Sequence, residues 1–201
     1  MKSLLLAIML FTSAFTSLYA RVGETLALYD DRYGDAIFRY KDYPYRLCVY
    51  NFKGNITRVY FIDNVSVAEQ IIMGPYPYDD ATSSKLISDS YDFYTSIIRN
   101  AYSESSFKES IQYAMIHHFK SDDDGAGNSG VISNITLSKD TFTLHMNINA
   151  GTPKQMTFSI LIIDKALKNG TDDAKAKFFS FMDSSVQAEK FESQKEKTSG
   201  Y

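Results

Sequence analysis

A chain of 201 residues, 44% hydrophobic and 22% charged, has enough apolar material for one sizeable core or two small ones; it is neither a disordered chain nor a bundle of membrane helices. Its formal net charge of -3 gives no general attraction to nucleic acid or anionic lipid, which argues against a polyanionic partner. Trp is absent while 15 Tyr and 14 Phe are present, a balance that suits pleated, half-buried structure.

In chain order, the first element is a leader. Lys2 precedes an apolar run over residues 4–11, followed by small and hydroxyl residues and "SLYA". This reads as a secretory signal peptide over residues 1–20, cut after Ala20. The run is shorter than the ~20 apolar residues a spanning helix needs. The expectation is a periplasmic or extracellular protein without an integral membrane span after cleavage. Cys48 is the single cysteine, so no internal disulfide can form. Lying in "YRLCVYNF", it is expected as a small buried side chain, since a thiol nucleophile would need an activating base beside it.

Residues 21–78 read as an α-β-meander unit. Thr25 is placed to cap a helix of about three turns with Leu26, Tyr29 and Tyr33 on its packing face, ended by Gly34. The runs "AIFRY", "YRLCVYNFK", "TRVYFID" and "SVAEQIIM" then read as short antiparallel strands. Gly54-Asn55 and Asp63-Asn64 are the expected hairpin turns, because Gly and Asn tolerate positive φ.

Gly23-Glu24-Thr25, eleven residues before Gly34, followed by strands around "VYFIDNVSV", resembles the SmpA/OmlA (BamE) domain of bacterial outer-membrane proteins. In that family a "G-M-T... L-G-x-P" helix precedes a small meander, and a similar unit occurs in the β-lactamase inhibitor protein fold. Here Glu24 stands in place of Met, Tyr33 in place of Leu, and no Pro follows Gly34-Asp35. The resemblance implies an envelope or secreted binding or assembly module, and it transfers no functional residue.

Residues 79–195 read as a helix, an antiparallel sheet and a C-terminal helix, with a polar tail at 196–201. In "SSKLISDSYDFYTSIIRNAY", Leu86, Ile87, Tyr91, Tyr94, Ile97, Ile98 and Ala101 form one apolar stripe that should pack on a sheet. A brief helical turn and a strand from about residue 112 are expected next. "VISNITLS" and "TFTLHMNIN" flank a turn at Ser138, Lys139 and Asp140, and "MTFSILIID" follows a Gly-Thr-Pro loop. Alternation in the middle strand gives a sheet with one dry face, Phe142, Leu144, Met146 and Ile148, and one wet face. A last helix from Asp172 to about Lys190 would bury Ala176, Phe179, Met182 and Val186.

No motif identifies a reaction. "SDDDGAGNSG" fits G-x-G-x-x-G, yet three aspartates precede the glycines and a β-like run follows them, whereas a dinucleotide loop needs a strand before and a helix after. As an EF-hand it would end on Val131, where a ligand is required. It reads as a solvated hairpin loop. His117 and His118 are adjacent, so on a strand they point apart, and with His145 they read as ordinary surface or rim histidines. "KDYPYR" and "GPYPYDD" each hold a Tyr-Pro-Tyr loop, whose rings either cover the ends of the sheet or, stiffened by Pro, are presented for recognition of a sugar or a peptide.

The expectation is an α+β fold, helices packed on antiparallel β-meanders in one or two closely docked units. Its function is that of a non-catalytic module binding another envelope or secreted protein, without cofactor, metal or nucleic acid. Tyr43, Tyr45, Tyr76 and Tyr78 are the candidate contact residues. The alternatives are a small secreted hydrolase acting on polysaccharide or peptide, and a carbohydrate-binding module.

Overall fold

The computed structural model describes residues 22–77, 83–101, 120–122, 127–136, 140–149 and 154–198. The leader at 1–20, the helical turn and strand start expected within 102–119, His117, His118 and Tyr78 lie outside the described residues. The architecture is α+β.

Helix α1 (Leu26–Tyr33) leads into a four-strand meander: β1 (Phe38–Asp42), β2 (Tyr45–Phe52), β3 (Asn55–Ile62) and β4 (Val65–Pro77). Helix α2 (Ser83–Ala101) comes next. Then follow β5 (Lys120–Asp122), β6 (Gly127–Thr136), β7 (Asp140–Asn149), β8 (Gln155–Asp164), the single turn α3 (Lys165–Lys168) and α4 (Asp172–Thr198). All eight strands form one antiparallel sheet in the order β1-β2-β3-β4-β8-β7-β6-β5. The β4–β8 pairing makes the sheet continuous from the first meander into the second.

Two hairpins of the first meander turn on left-handed residue pairs, the geometry that matches strand twist. Asp63 and Asn64 have φ of 49° and 68°, as expected from their types. The preceding turn is centred on Lys53 and Gly54, with φ of 52° and 81°, and Asn55 is already the first residue of β3. Lys53 and then Gly54 supply the two positive φ values, so the turn lies one residue ahead of the Gly54-Asn55 reading.

Helix α1 also differs from expectation. It has eight residues, about two turns, and Thr25 makes no side-chain cap. Thr25 instead bridges to Val65, and Gly23, Glu24 and Leu26 exchange backbone hydrogen bonds with Ser66 and Asn64. Pairing with the start of β4 holds Thr25 extended and satisfies the backbone ahead of the helix.

A bulge between Tyr60/Phe61 of β3 and Ala68/Ser66 of β4 inserts Val67 as an extra residue. The inserted residue turns Ser66 onto the same face as Glu69, three positions away, where strict alternation would separate them. On that front face α1 covers the start of β4 and α2 covers its end. Beneath α1, Tyr29, Cys48, Tyr50, Val59 and Phe61 form one buried cluster. Beneath α2, Tyr94, Ile97 and Ile98 pack on Ile71, Met73, Phe142, Leu144, Met146, Phe158, Ile160 and Ile162. The stripe read from the sequence is thus the packing face, and Tyr94 donates its hydroxyl to the carbonyl of Phe142 at 3.0 Å.

Helix α4 covers the back of the first meander, with Phe178 and Phe181 set among Leu47, Val49, Tyr60 and Ala68. The expected stripe holds at Met182, which packs on this cluster, and fails at Ala176 and Phe179: Phe179 is 44% exposed while Phe178 is fully buried. "FFSFM" offers apolar residues to two faces, and the aromatic floor formed by Tyr40, Tyr45 and Tyr60 selects Phe178 and Phe181. The helix also runs past Lys190 to Thr198, helped by a Lys195–Glu192 pair and by Lys195 over the Phe191 ring.

Candidate functional site

Between the end of β4 and α2 lies a groove of about 290 Å³. Met73 and Tyr76 of β4 and Leu86 and Phe93 of α2 form its apolar walls, and Asn55, Asp89 and Ser90 supply polar atoms. A second bulge builds it. Met73 pairs with Phe158 and Tyr76 with Met156, so β4 advances three residues while β8 advances two. The extra residue brings Tyr76 to the face that already carries Met73, and its ring lies 6.4 Å from that of Phe158. Gly74 makes this possible. Its φ is +102°, and a Cβ there would sit 2.9 Å from the carbonyl oxygen of Met156.

Of the four tyrosines singled out in the sequence, the three that are described, Tyr43, Tyr45 and Tyr76, do not converge. Tyr43 is 79% exposed at the tip of the β1–β2 turn. Tyr45 is half-buried in the back core, its ring 5.2 Å from that of Phe181. Tyr76 faces the front, near the far end of the 13-residue β4, roughly 35 Å from the Tyr45 end of the sheet at strand rise. Here the expectation of a second Tyr-Pro-Tyr loop fails: residues 74–77 are strand, because β8 pairs with Tyr76 and Pro77.

The other site features of the front face lie under α1. Glu69 is fully buried, and its two carboxylate oxygens accept hydrogen bonds from Tyr29 and Tyr33, each at 3.3 Å. The guanidinium nearest in sequence to these tyrosines, Arg32, pairs with Glu24 at 2.6 Å. Burial therefore dominates, and it pushes the Glu69 carboxyl up to about 8 against the opposing effects of the two hydroxyls and Arg32. The Tyr29 hydroxyl is itself held well above its usual range by burial and by Glu69. Further along α1, Asp30 accepts hydrogen bonds from Tyr50 at 2.9 Å and from Arg39 at 3.0 Å. Ser66 Oγ accepts from the backbone N–H of Gly23 and Glu24.

Cys48 is buried in this cluster as expected, and burial pushes its thiol up, the direction opposite to nucleophile activation. His145 lies on β7 opposite Ser159, with its imidazole pKa lowered by burial. Among the described residues no group of histidine, cysteine or carboxylate side chains is arranged to hold a metal ion. Strands β5 and β6 pair antiparallel with Asp122 opposite Gly127, and residues 123–126 of the Asp- and Gly-rich stretch lie outside the described residues. Among the described residues no helix is long and apolar enough to cross a membrane.

Glu69 and Gly74 were not singled out from the sequence. A carboxylate inside "SVAEQIIM" was the available clue, since it interrupts an apolar run in a central strand. Comparison with protein-family models, curated proteins and solved structures finds no match.

Proposed function

We propose that the chain is exported by way of residues 1–20 and serves as a non-catalytic module that binds another envelope or secreted protein. In this reading the partner inserts an apolar side chain into the groove between α2 and β4. The observation that carries it is the groove itself, with apolar walls from Met73, Tyr76, Leu86 and Phe93 beside the polar atoms of Asp89, Ser90 and Asn55. At about 290 Å³ it is at the small end of the range for drug-sized ligands, and suits one or two side chains of a protein segment. Tyr76 presents a large ring with few rotatable bonds, the kind of residue that anchors protein contacts. The BamE-like resemblance of residues 23–35 belongs to the same reading, because it implies an envelope assembly module.

Panning a peptide library against the protein tests the groove. Enriched peptides should share an aromatic or aliphatic anchor, shift the amide resonances of Leu86 and Ser90, and bind Tyr76→Ala about tenfold more weakly. Peptides that bind Tyr76→Ala as well as the unaltered protein would contradict the reading, and so would an absence of enrichment. Export predicts that the chain recovered outside the cytosol begins at Arg21; a cytosolic chain retaining Met1 contradicts that part.

A further inference from the structure

We propose that α1 is a proton-controlled cover on the sheet, docked while Glu69 is a neutral acid and released as that carboxyl ionises. The geometry isolates Glu69. It projects from β4 at 0% exposure, and among the described residues its two side-chain hydrogen bonds come from Tyr29 and Tyr33, both on α1. Among the described residues, the charged and titratable groups that act on it belong to α1 and the residues just before it: Tyr29, Tyr33, Arg32 and Glu24. Its partners across the sheet, Val59 on β3 and Ile162 on β8, carry no charge. Among the described residues the cation near it is Arg32, and that is already bonded to Glu24.

An ionised carboxylate enclosed in this way must shift its pKa or gain water. Water reaches Glu69 when α1 moves, because α1 is what covers it. The helix is short, and the backbone pairing of Gly23 and Glu24 with Ser66 tethers it at one end. It can therefore lift without freeing the chain. What lies beneath is the aromatic face of Cys48, Tyr50, Val59 and Phe61, with the sole cysteine as a built-in reporter.

The sign follows from linkage. Released, Glu69 titrates near its ordinary value of 4.5; docked, near 8. Opening therefore becomes about tenfold more favourable for each pH unit between those values and levels off above the higher one, where the docked form ionises too. Tyr29 and Tyr50 are raised rather than lowered, so neither loses a proton in that window.

The test uses the full mature chain. Labelling of Cys48 by a thiol reagent, divided at each pH by the rate for a free-cysteine peptide, reports opening. The corrected rate should rise at least a hundredfold from pH 5 to pH 8, and Glu69→Gln should flatten it. Hydrogen exchange on the unaltered protein, expressed as protection factors, needs no variant. Protection should fall across that range in α1 while β2 and β3 keep theirs. A pH-independent corrected rate would overturn the proposal, as would equal slopes in wild type and E69Q. Loss of protection in β2 and β3 together with α1 would mean global unfolding, and also overturns it.

Discussion

Helices α1 and α4 cover opposite faces of the same meander, and each meets an ionisable strand residue in a different way. Under α4, Arg58 of β3 donates through Nε and Nη2 to both oxygens of Glu189, at 2.7 and 3.2 Å, and through Nη1 to Gln70. Under α1, Glu69 of β4 meets two tyrosine hydroxyls and no cation of its own. The back is fastened by a charge pair whose members compensate each other, the front by an acid that is compensated only while it holds its proton. Two neighbouring strands thus give a helix interface indifferent to mild pH change and one that responds to it.

A large effect is expected on the back. Phe178→Ala should destabilise the protein by about 3–5 kcal/mol in denaturant unfolding, because a fully buried ring leaves a cavity between α4 and the sheet. Phe179→Ala, one position along, should stay within about 0.5 kcal/mol. Equal losses at the two sites would mean that the helix packs in the other phase. Glu189→Ala is next, at about 2 kcal/mol, because it strands Arg58 at a site where both partners are only 16% exposed.

Glu69→Gln should do the reverse. Relative to wild type it should gain about 1.4 kcal/mol for each pH unit above 4.5, levelling near 8, because the wild-type acid binds its proton more tightly folded than unfolded. Wild-type stability from this residue is thus full at acidic pH and lost as pH rises. A pH-independent difference between the two proteins would erase the contrast between the faces. A small effect belongs to Tyr60, whose buried hydroxyl has no hydrogen-bond partner among the described residues. Tyr60→Phe should be neutral or stabilising by up to about 1 kcal/mol, as thermal unfolding will read.

How much of this was legible in the sequence depended on whether one residue's environment was local. Asp63-Asn64 sets its own turn, and the α2 stripe from Leu86 to Ile98 has one apolar phase, so both could be read directly. "FFSFM" has two phases, and the choice between them is made by Tyr40, Tyr45 and Tyr60 more than a hundred positions earlier. The bulges hid the rest. Val67 and the Gly74-Pro75 step each shift the strand pattern by one, so neither the shared face of Ser66 and Glu69 nor the groove position of Tyr76 follows from alternation. Tyr43 and Tyr45 read as a presented pair, but the α4 aromatics draw Tyr45 into the core and leave Tyr43 outside.

The most direct test is a carbon-13 NMR titration of the glutamate side-chain carboxyls in the folded protein. The account predicts one glutamate resonance with a midpoint near 8, absent from E69Q. A spectrum in which every glutamate titrates in the ordinary carboxylate range, with Glu69 among them, would contradict it.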